Sequence, residues 1–196
     1  SNDDVEEREG DGSVYATSSD LEMCYDTYNS QYHQTVGLRF QNVTVPQGAT
    51  IDNAYIQFRS DETNSGGITL YIQGELIDNS PAFNISNNYD VSSRSKTSGT
   101  VTWNPNAWNS TGQSGTDQRT SDISTIVQEI IDLGSWTDGN AMTFIITNNG
   151  IDTDKRVADS YDGSWPPQLH IEYTYNPAIP GYWTGNTSTD WNTTSN

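Results

Sequence analysis

The chain has 196 residues and a single cysteine, Cys24, and its 26 acidic side chains outnumber 8 basic ones for a formal charge of −18. This length suits one domain with its own core and is short for two. The charge balance excludes partners that present phosphate backbones or anionic lipid, and a lone thiol excludes an intrachain disulfide. No run of about 18 apolar residues is present to cross a bilayer. Hydrophobic residues make up 32% of the chain and the mean hydropathy is −0.74. A thin core under long polar loops follows, the balance of an all-β sandwich rather than a helical bundle.

Residues 1–12 are acidic, Gly-punctuated and without apolar periodicity, so they read as an arm outside the fold. The opening Ser-Asn-Asp-Asp-Val-Glu-Glu has neither a basic region nor an apolar stretch, and any export signal is expected upstream of it. Strands are predicted from Ser13 onward. Ser13–Ala16 is a short one, and Leu21–Tyr25 alternates Leu21, Met23 and Tyr25 against Glu22 and Cys24. Val36, Leu38 and Phe40 share a face of the next, a short Val43–Val45 segment precedes the Pro46-Gln47-Gly48 turn, and Ala54, Ile56 and Phe58 mark a strand read as lying at a sheet centre. After the turn at 61–67, Ile68, Leu70 and Ile72 continue the alternation.

Residues 78–98 are rich in Asn and Ser and read as an irregular crossing over the surface. Thr100–Trp103 is a further strand, and Trp103 and Trp108, with Trp136, are expected to plug the core. One helix is predicted from Ser121 to Gly134, because Ile123, Ile126, Val127, Ile130 and Ile131 fall on one stripe. Ser121 is its expected N-cap and Gly134 its left-handed stop. Met142, Phe144 and Ile146 then alternate with threonines. The stretch Arg156–Tyr173 reads as two strands joined by a turn, the second with Leu169, Ile171 and Tyr173 inward and able to lie inside a sheet. Residues 176–196 form a Pro-containing linker and a tail bearing Trp183 and Trp191.

The segments Thr35–Phe40, Asn53–Phe58, Val101–Trp108, Ile126–Ile130 and Arg156–Asp162 resemble the jelly-roll modules of large secreted, multidomain surface proteins of Bacteroidota, and are similar to DNRLRE-type domains and the carbohydrate-binding modules near them. The resemblance covers residues 13–175 and implies a jelly-roll β-sandwich with one short packed helix. It also implies an extracellular, cell-surface location, and calcium held between the first and last strands, which puts Asp20, Glu22 and Asp162 foremost.

From the residues themselves, a hard cation needs about six to eight oxygens gathered from converging loops. The candidates are Asp20 and Glu22, Asp61 and Glu62, and Asp159 and Asp162; the plainer reading is solvated strand faces. Asp152-Thr153-Asp154 lacks the glycine and final glutamate of an EF-hand, and one cysteine with two histidines makes no zinc set. Neither a nucleophile elbow nor a phosphate loop is present, so no enzyme is expected. Tyr28, Tyr32, Tyr89 and Trp165 lie in expected loops where an aromatic face could stack on a sugar. Sequons at Asn42, Asn84, Asn109, Asn186 and Asn192 are possible glycan acceptors.

The leading expectation is a non-catalytic structural module that builds an appendage or fibril as a homo-oligomer or filament. Its termini, at Asp4 and Val5 and at Tyr182, Trp183 and Trp191, would add a strand to a neighbour's sheet edge. The rival is a module that binds polysaccharide through its loop aromatics.

Overall fold

The computed structural model describes residues 1–27 and 32–177, with Tyr32 described by its backbone. The strands are β1 (Asp4–Arg8), β2 (Val14–Tyr15), β3 (Asp20–Met23), β4 (Tyr25–Asp26), β5 (Tyr32–Phe40), β6 (Thr50–Gln57), β7 (Leu70–Gly74), β8 (Val101–Trp103), β9 (Met142–Asn148), β10 (Arg156–Asp159) and β11 (Gln168–Thr174), with one helix, α1 (Ser124–Ile131), before β9. All strand pairs are antiparallel, and the fold is the expected all-β sandwich with one short helix.

The first layer has the strand order β2-β1-β5-β9-β7-β8, with β4 paired to the start of β5. The second layer is built around β6. Even-numbered backbone groups of residues 54–60 bond to the segment 112–123: Phe58 N to Gln118 O at 2.9 Å, Ile123 N to Ala54 O at 2.8 Å and Gly112 N to Ser60 O at 2.7 Å. The odd-numbered groups face the other way, where Asp159 N meets Arg59 O and Asp61 N meets Val157 O, both at 2.9 Å. Since a strand offers alternate residues to its two edges, β11 lies along one edge of β6 and β10 along the same edge of its continuation at residues 59–61, and β3 pairs with β10 beyond them.

The core lies between the layers. Val36, Leu38, Phe144, Ile146, Leu70 and Ile72 meet Leu21, Met23, Ala54, Ile56, Phe58 and Ala158, all buried in one cluster. Each such side chain is worth about 1.5–3 kcal/mol on burial. Trp103, Trp108 and Trp136 are buried as expected. Phe58 stacks on Trp103 with ring centroids 5.6 Å apart, and the indole of Trp136 donates to Val45 O at 2.9 Å. The helix stripe of Ile126, Val127, Ile130 and Ile131 closes one end of the same cluster.

Four expectations are corrected. Residues 1–12 are not an arm: β1 lies inside the first sheet, between β2 and β5. Val5 is 1% and Asp4 7% exposed, and both are paired within their own sheet, so neither is free to add a strand to a neighbour's sheet edge as expected. The helix is shorter than its stripe. Asp122, not Ser121, accepts from Ser124 N at 2.9 Å, while the Ser121 hydroxyl donates to Thr102 O at 3.0 Å. The helix closes at Asp132, and Gly134 does not take the left-handed conformation.

The stretch 156–173 is not a hairpin, because its two strands follow one another along β6 and its continuation; nor is β11 interior, because it pairs with β6 alone among the described residues. The crossing at 78–98 is irregular, as expected. Phe83 and Val91 anchor it over the outer face of the first sheet in a second cluster with Val5, Val14 and Ile145. Gly37 makes room for this: a Cβ there would stand 2.5 Å from the Phe83 ring. The Val43–Val45 segment is buried at both valines but forms no strand.

Candidate functional site

Sheet edges expose unpaired donors and acceptors, so where each edge finds partners decides what the surface can do. The far edge of β6 is filled by residues 112–123. The far edge of β3 is filled by side chains: Glu22 N donates to the Glu6 carboxylate at 2.7 Å, and the Gln34 amide donates to Glu22 O at 2.8 Å. β2 and β8 are two and three residues long. β11 differs from all of these. It runs seven residues with no strand on its outer side among the described residues. It contains no lysine or proline, and its one irregularity is a register shift between Glu172 and Tyr173.

Beside β11 the layers gape. Leu169 and Ile171 are half-buried against the core, as is Phe40. Between them and the segment 40–45 runs a groove of about 290 Å³, walled by Phe40, Val43, Val45, Leu169, Ile171 and Tyr173. The Tyr173 hydroxyl reaches across it toward Thr44 O at 3.4 Å. The chain leaves the strand at this end, and residues 178–196, with the expected contacts Tyr182, Trp183 and Trp191, lie outside the described residues.

At the β1 side of the sandwich the layers are separated by carboxyls. The Glu6 carboxylate, on a residue 8% exposed, accepts from Glu22 N and from the Gln34 amide at 2.8 Å. Its value is held well above the usual carboxylate range by burial and by a hydrogen bond to the Glu22 side chain. Burial raises Glu22 as well. The two carboxyls therefore share a proton more readily than they ionise together. They border a cleft of about 810 Å³ that Asp20, Asp26, Glu62 and Lys155 also line.

Five of the six expected metal ligands come near this cleft. Asp20 and Asp159 face each other across the β3–β10 pair. Asp61 is raised by desolvation and then by the charges of Asp159, Asp20 and Glu62. Cations of the chain itself stand among them: Arg59 bonds Asp159 at 3.1 Å, and Lys155 lies 3.6 Å from Glu22 and 3.8 Å from Glu62. Asp162 instead takes the terminal ammonium of Ser1. The oxygens suit a hard cation, but among the described residues no three His, Cys, Asp or Glu side chains form a group that could hold one.

Of the expected sugar platforms, Tyr28 and the side chain of Tyr32 lie outside the described residues. Tyr89 is 43% exposed, but its ring covers Gly12, whose Cβ would stand 2.5 Å from it. Trp165 is 44% exposed, with the Arg59 guanidinium 5.8 Å from its ring centre. Tyr161, 64% exposed in the same loop, was not singled out by the sequence. Neither was Glu6, whose acceptor role depends on residues 16 and 28 positions away. Compared with protein-family models and with curated proteins, the sequence matches none.

Proposed function

We propose that this protein is a non-catalytic, extracellular structural module that joins copies of itself by strand addition at β11, building a surface filament. The observation that carries the reading is the unguarded seven-residue edge of β11 bordering an apolar groove. The proposed occupant is the segment 178–196 of a neighbouring copy, which brings Tyr182, Trp183 and Trp191 and follows Tyr175-Asn176-Pro177 in the sequence. Backbone pairing would supply affinity, and the groove would receive alternate side chains. Head-to-tail contacts of this kind propagate unless the rotation closes into a ring.

Two changes test it. Deleting 178–196, or placing lysine on the edge with Tyr173→Lys, is expected to leave monomers by light scattering and electron microscopy; filaments that persist in both would end the reading. Calcium enters as a counter-ion of the acidic cleft rather than the ion of a formed ligand set, supported by the proximity of Asp20, Glu22, Asp61 and Glu62. Added calcium is expected to raise the melting temperature and a chelator to lower it, and no movement in either direction would remove the ion from the proposal. A second reading, polysaccharide binding, is favoured by Tyr161 and Trp165 standing exposed in one loop. A glycan array read with Trp165→Ala alongside decides it.

A further inference from the structure

At the end of the β11 groove, past Phe40, a separate pocket of about 240 Å³ opens between β1, β5 and the loop that joins β10 to β11. Its walls are apolar: Leu38, Phe40, Tyr161, Pro166 and Pro167. Three of its polar residues are paired with one another, since Arg39 forms an ion pair with Asp3 and the Gln41 amide donates to Asp3 at 2.7 Å. Asp4 is different. Its Oδ2 accepts from Tyr161 N at 2.6 Å, but its Oδ1, shielded from bulk water, meets no donor. A carboxylate oxygen in that position on a residue 7% exposed is a standing cost unless a donor comes to it. Asp4 is among the residues that line the pocket, so the pocket is the space beside it.

We infer that this pocket binds a primary ammonium carried on an aliphatic stem, with the ammonium on Asp4 and the stem along Phe40, Pro166 and Pro167. A sugar ring bristles with donors and acceptors and needs several polar partners, whereas one acceptor is available here. A cation is favoured over a neutral donor because the acceptor is a buried carboxylate in a chain of charge −18. The charged neighbours agree: the Ser1 ammonium is held by Asp162 and by Ala16 O at 2.7 Å, and Arg39 by Asp3, so neither is free to serve Asp4. The chain's two lysines are also engaged, Lys96 by Ser92 O at 2.5 Å and Lys155 by Glu22 and Glu62. The ammonium therefore comes from another molecule, and the inference stands apart from strand addition at β11.

The test uses the whole chain at neutral pH. N-acetyl-lysine methylamide, n-butylammonium and the uncharged N-acetyl-norleucine methylamide are titrated while the backbone amide of Tyr161, the donor to Asp4, is followed by NMR. The two ammonium probes are expected to shift that amide saturably, and the norleucine probe is not. Asp4→Asn is expected to weaken the ammonium probes about tenfold or more. Tighter binding of the lysine derivative than of butylammonium assigns the natural source to a protein lysine; equal binding assigns it to a free amine. No saturable shift with either ammonium probe on the wild-type chain, an equal response to norleucine, or a response to neutral monosaccharides in their place overturns the inference whether or not the variant folds.

Discussion

The two ends of this sandwich keep their layers together by opposite means. Around α1 the space between layers is filled with Ile56, Phe58, Ile126 and Ile130, each fully buried, and stability there scales with area removed from water. Along β1 the equivalent positions are Asp4 and Glu6, with Glu7 turned to the other face, and each takes backbone N–H groups from a distant segment. Glu7 serves Val91 at 2.7 Å and Ser92 at 3.2 Å, Glu6 serves Glu22, and Asp4 serves Tyr161. An apolar seam tolerates any neighbour of suitable shape. A carboxyl seam specifies which loop goes where, and it ties the fold to the state of its protons.

The largest expected effect comes from removing the acidic seam's strand. Deleting residues 1–9 strips β1 from between β2 and β5 and is expected to leave the chain unfolded by circular dichroism; an unchanged melting curve would make those residues dispensable after all. Phe58→Ala tests the apolar end and is expected to cost about 3–5 kcal/mol in denaturant unfolding. Asp122→Ala, which removes the acceptor shared by Ser124 N and by Ala54 N at 3.1 Å, is expected to cost about 1–2 kcal/mol.

Glu6→Gln is smaller and opposite in sign. Because Glu6 and Glu22 are raised above their ordinary value of 4.5, the folded chain binds protons more tightly than the unfolded chain between that value and the raised ones. Stability therefore falls as pH rises through this window. The variant keeps the acceptor oxygen and replaces the shared proton with an amide. It is expected to raise the melting temperature at neutral pH and to flatten its decline as pH rises above 4.5. A slope identical to the wild type would place the pH dependence elsewhere.

The same contrast explains how far the sequence could be read. Period-two alternation placed Val36 and Leu38, Ala54, Ile56 and Phe58, and Phe144 and Ile146, because each faces the core and nothing but burial decides it. β1 was illegible by that signal, since three of its four buried positions are carboxyls and their partners lie at 22, 34, 91 and 161. The helix start was misplaced for a related reason: Ser121 reads as the cap, but the residue at that position is Ile123, and Asp122 accepts instead from Ser124 N and from Ala54 N on β6, a contact the local sequence does not show. The gathering of Asp20, Glu22, Asp61, Glu62 and Asp159 was foreseeable as a set of acids near strand ends. That Arg59 and Lys155 stand among them was not, because the pairing of β10 with β3 brings in Lys155 and its pairing with residues 59–61 brings in Arg59.

One consequence follows from β10 and β11 lying end to end along β6 and its continuation at residues 59–61. Residues 160–167 interrupt what would otherwise be a single long strand, and both flanks are independently locked in register by their own ladders. That stretch can be lengthened, shortened or exchanged without sliding either flank. Tyr161, Trp165, Pro166 and Pro167 are thus mounted between two independently registered ladders, a cassette whose exposed side chains can be altered while Tyr161 N on Asp4 and Asp162 on the Ser1 ammonium hold it to the scaffold beneath.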